Sequence, residues 1–184
     1  MRSKFDEQLL QLNTEIIKLG ALCENIIAMS AKALLEGDES LAAEVTELSG
    51  KIERKERDIE EMCLRLLLQQ QPVAGDLRVI SSALKMVTDM ERIGHQSADI
   101  ADILTSAHIS PPDASLPIHD MAQAAIKMVT GSVDAFVKKD VAAAREVISY
   151  DDVVDAGFDR VKNALIEMFS KPETNGEYAI DLLM

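Results

Sequence analysis

Aromatic side chains are nearly absent from this chain of 184 residues: they make up 3 % of it, and there is no Trp. A core without large rings must be filled by Leu, Ile, Val, Ala and Met, a set that favours helices packed on helices. Cysteine is almost as scarce. Cys23 and Cys63 fall on apolar helical positions and no CxxC pair occurs, so they read as reduced core thiols rather than a disulfide or a thiolate metal site. No apolar run approaches the ~18 residues of a membrane-spanning helix. No basic stretch followed by an apolar one opens the sequence, and the expectation is a cytoplasmic protein without membrane insertion. Positive charge is in deficit too. The formal net charge is −13, a balance that repels phosphate backbones and argues against nucleic-acid binding. No GxSxG, P-loop or Gly-rich dinucleotide turn is present.

What the chain does have is helical periodicity. Phe5, Leu9, Leu12, Ile16, Leu19, Cys23 and Ile26 alternate spacings of 4 and 3. Gly37 suits the C-terminus of that helix and Asp38 the N-cap of the next. A second seam runs Leu41, Val45, Leu48, Ile52, Ile59, Met62 and Leu66, interrupted at Lys55 and stopped by Pro72. Asp76 is the expected N-cap of a third helix, and "HISPPDASLP", residues 108–117, reads as a connector. Apolar periodicity then resumes up to Asp140. It continues through Val147, Val154, Phe158, Val161, Leu165 and Met168, and "EYAIDLLM" opens one more helix. Helices this long, joined by short links and showing no strand alternation, predict an all-α antiparallel bundle.

The chain also resembles itself. At a shift of 102 positions Ala33 meets Ala135, Asp38 meets Asp140, Glu44 meets Glu146, Ile52 meets Val154 and Leu66 meets Met168. Overlap between any two amphipathic helices explains part of this, but the shared Asp after the break lifts it above coincidence. The expected organisation is one helical unit over 1–107, a connector over 108–117 and a second unit over 118–184. The second unit is expected to be incomplete, with two helices and only the start of a third.

One stretch breaks the pattern. "DMERIGHQSADIAD", residues 89–102, follows a stripe of Leu77, Ile80, Leu84 and Val87, and the next position of that rhythm is Glu91. With about 100° per residue, His95, Asp99 and Asp102 lie within roughly 80° of Glu91 on one face. A carboxylate and an imidazole at i and i+4 can reach one cation, and that donor pair suits iron, zinc, manganese or nickel. Asp99 and Asp102 could extend the site or orient the imidazole. The competing reading is a solvated acidic face whose charge Arg78, Lys85 and Arg92 share. The spacing is not the Glu-x-x-His of di-iron carboxylate bundles. His108 and His119 read as surface residues, and Met29, Met62, Met86, Met90 and Met128 as core filling.

"QQQPVAGDLRVISSALKMVTDMERIGHQSADIAD" resembles the PhoU family of phosphate-signalling regulators, above all in "QPVAGDLR", "KMVTDMERIG" and "ADIA". The similarity extends along the whole chain. It implies two tandem three-helix bundles, each carrying on its third helix a Glu or Asp followed four residues later by Asp, motifs that hold iron or other cations in metal-binding members. The first motif maps onto Glu91 and position 95, where this sequence has His instead of Asp. A second motif is expected near position 193. The resemblance further implies a non-enzymatic, cytoplasmic, often dimeric adaptor. Such an adaptor couples the ATPase subunit of a phosphate ABC transporter to a sensor histidine kinase and keeps the phosphate-starvation response off. Two rival readings are a helical-bundle metalloprotein with redox or hydrolytic activity, which needs a substrate cavity beside Glu91, and a metal-free helical scaffold.

Overall fold

A computed structural model of the chain describes residues 2–70, 73–107, 112, 116–169 and 176–183. They form six helices: α1 (Arg2–Glu36), α2 (Glu39–Gln70), α3 (Ala74–Ala107), α4 (Ile118–Lys138), α5 (Val141–Phe169) and α6 (Gly176–Leu183). There is no strand among the described residues. None of these helices is long and apolar enough to cross a membrane. The expected stop at Pro72, most of the 108–117 connector and His108 lie outside the described residues.

α1, α2 and α3 pack on one another, α4 packs on α1, α5 on α4, and α6 on α5 and α3. The seam read for α1 is the seam that is buried: Phe5, Leu12, Ile16, Leu19, Cys23 and Ile26 are all in the core, with Leu9 packed at its edge. Val45, Leu48, Ile52, Ile59, Cys63 and Leu66 bring α2 onto it, and Val129 and Val133 of α4 close it from the far side. Both cysteines are free and buried, and burial pushes the Cys23 thiol up to about 12 and the Cys63 thiol to about 11. Neither is a nucleophile or thiolate ligand at neutral pH.

The repeat is visible bond by bond. Helix α1 ends in the left-handed Gly37 and α4 in the left-handed Lys139, 102 positions later. Asp38 N donates to Ala33 O at 3.0 Å, and Asp140 N donates to Ala135 O at 2.9 Å. The Asp38 carboxylate accepts from Leu41 N at 3.0 Å, and that of Asp140 from Ala143 N at 3.1 Å. Both aspartates are therefore the side-chain caps that the sequence pattern predicts. α2 and α5 begin 102 positions apart, and so do α3 and α6.

Two expectations fail in α3. Asp76 is not its N-cap. The helix starts at Ala74, Leu77 N bonds Val73 O, and Asp76 lies in the first turn, where a carboxylate favours the helix dipole. The buried line of α3 is Ile80, Ala83, Val87, Met90, Gly94, Ser97, Ala101 and Leu104, not Leu77–Ile80–Leu84–Val87–Glu91. Leu77 is 48 % exposed. The cause is helix separation. A Cβ added at Gly94 would stand 3.0 Å from Ile52 Cγ2, so at that level α2 and α3 approach too closely for a larger side chain. The seam turns small there rather than acidic.

Candidate metal centre

Glu91 lies beside the seam rather than on it. Its side chain is 26 % exposed, and His95, one turn on, is 54 % exposed. His95 Nε2 lies 3.1 Å from Glu91 Oε1, so the pair expected from the i, i+4 spacing is formed. Asp99 and Asp102 are exposed to solvent. The helix thus brings Glu91 and His95 together and leaves the two aspartates one and two turns away. Arg92 bonds Asp89 at 3.4 Å instead of Glu91, and neither Arg78 nor Lys85 pairs with Glu91 among the described residues.

The α2 side of the site is a residue the sequence reading passed over. Glu56 is only 8 % exposed, on the buried line of α2 between Ile52 and Ile59. Among the described residues it has no hydrogen-bond or ion-pair partner, and since no buried side-chain oxygen is left unpaired there, its carboxylate oxygens reach solvent. Burial, and then the charges of Glu60 and Glu91, push its carboxyl above its ordinary value, while Arg57 acts weakly the other way. Glu56 on α2 and Glu91 on α3 are thus near enough for their charges to interact, and Glu60 stands one turn along α2. The signal for it was present: Glu56 occupies the position four after Ile52 and three before Ile59, where an apolar residue belongs. It was hidden by the dense charges of "ERKERDIEE".

Two carboxylates and an imidazole on neighbouring helices are donors of the kind a divalent cation takes, and a cation offsets the repulsion between the carboxylates. As they stand, no three His, Cys, Asp or Glu side chains among the described residues are arranged to hold an ion. Glu91 and His95 are paired, and Glu56 does not join them in a three-donor group.

Three cavities of about 580, 490 and 450 Å³ are lined by neither Glu91 nor His95. The 490 Å³ cleft between the two helical units is walled by Ile27, Leu34, Ile103, Met121 and Phe158. Its walls are mainly apolar, with Ser30, Gln96 and Asp181 among them.

Comparison with known proteins agrees with this architecture. The PhoU domain matches residues 16–104 and again 118–184, one match per helical unit. The phosphate-specific transport system accessory protein PhoU homolog of Pseudomonas aeruginosa is 33 % identical over 90 % of this chain and 68 % of its own length. The homolog of Clostridium acetobutylicum is 32 % identical over 94 % of this chain and 80 % of its own. The crystal structure of PhoU from Pseudomonas aeruginosa superposes with a TM-score of 0.88 at 29 % identity, covering 97 % of this chain and 87 % of that one. The phosphate transport system regulatory protein PhoU from Streptococcus pneumoniae shares the fold, with a TM-score of 0.87 at 23 % identity over 97 % of this chain and 84 % of that one. Twofold domain match, repeat and identity lead to one conclusion: this chain belongs to the PhoU family.

Proposed function

We propose that this chain is a non-enzymatic regulatory adaptor of phosphate uptake. In this reading it acts in the cytoplasm. It couples the ATPase subunit of a phosphate ABC transporter to a sensor histidine kinase and restrains the starvation response when phosphate is plentiful. The observation that carries the reading is the duplicated PhoU domain, together with relatives named as accessory proteins of phosphate-specific transport. Exposed Val141, Ile148 and Ile166 on α5 offer apolar area for a second copy, in keeping with a homodimer. The test is direct binding: the purified chain titrated against the isolated ATPase subunit of a bacterial phosphate transporter and against the cytoplasmic part of the sensor kinase. Saturable binding to either supports the adaptor. Binding to neither contradicts it.

The second part of the proposal is a transition-metal ion, drawn from iron, zinc, manganese and nickel, held by Glu91 and His95 with Glu56 from α2. Asp99 and Asp102 then act only as outer acidic residues. The Glu91–His95 pair and the nearby charge of Glu56 support this. A metal-free scaffold is the second reading, favoured by the absence of three converged donors among the described residues.

A further inference from the structure

We draw no further inference here: the strongest candidate, the apolar cleft of about 490 Å³ between the two helical units, walled by Ile103, Met121 and Phe158, carries none because nothing in the structure shows what covers it.

Discussion

Glu56 on α2 and Glu91 on α3 are near enough for their charges to interact, and neither forms an ion pair with a lysine or arginine among the described residues. One turn away, Gly94 lets Ile52 approach the α3 backbone. Close packing and uncompensated acidity thus sit side by side. The first holds the helices at a fixed spacing, and the second leaves a charge that a cation could satisfy.

The raised carboxyl of Glu56 has a definite consequence for stability. Its ordinary value is about 4.5, and the folded value lies above that. The folded state therefore binds the proton more tightly than the unfolded chain. The group's contribution is fully present below the ordinary value and is lost as pH rises through the folded one. In metal-free buffer with a chelator, Glu56→Gln is expected to melt at a higher temperature than the natural protein at pH 8, with the gap closing toward pH 4. Thermal melts across that range check it. An equal or lower melting temperature at pH 8 counts against a buried, unpartnered Glu56.

Glu15 shows the opposite case. Its hydrogen bonds to Lys18 and to Lys55 of α2 hold its carboxyl below the ordinary value of about 4.5. That stabilisation is present above the ordinary value and disappears as pH falls through the folded one. Glu15→Gln is expected to lose under about 1 kcal/mol at pH 7, since the pair is only partly sheltered, and to match the natural protein at low pH. Urea unfolding at two pH values measures it.

Much of the fold was legible in the sequence because it depends on local rules. Leu12, Ile16, Leu19, Cys23 and Ile26 are buried where a 4–3 rhythm places them, and Asp38 and Asp140 cap the helices they precede. What could not be read depends on a neighbour. Whether Leu84 or Ala83 faces the core is decided by how closely α2 lies, and that distance belongs to the pair of helices rather than to either one. Glu56 was missed although its spacing from Ile52 and Ile59 marks it, because the charged residues around it read as a solvated face. The candidate site was thus half visible, through Glu91 and His95, with its α2 side hidden.

The repeat supplies a stabilising substitution. Lys139 holds φ 55° at the position where the first unit has Gly37 at φ 65°. A side chain in this left-handed region is strained by about 1 kcal/mol or more, and Gly carries no such penalty. Lys139→Gly is expected to stabilise by roughly 0.5–1 kcal/mol, and Gly37→Ala to destabilise by a similar amount. Paired chemical denaturation curves test both signs.

Packing at Gly94 sets a steric limit. With Ile52 Cγ2 3.0 Å from an added Cβ, Gly94→Val is expected to cost about 1–3 kcal/mol through overpacking. Removing the obstacle should relieve it: Gly94→Val combined with Ile52→Ala is expected to lose less than the sum of the two single changes. Additive losses would place the two side chains out of contact.

The regulatory role is tested most directly in cells. A bacterium deleted for its own PhoU protein, carrying a phosphate-starvation alkaline phosphatase reporter, is supplied with this chain and grown in excess phosphate. The account expects the chain to restore low phosphatase activity, and Glu56→Gln, Glu91→Gln and the natural sequence to be compared at equal protein level. Unrepressed phosphatase with the natural chain present, folded and abundant would contradict it.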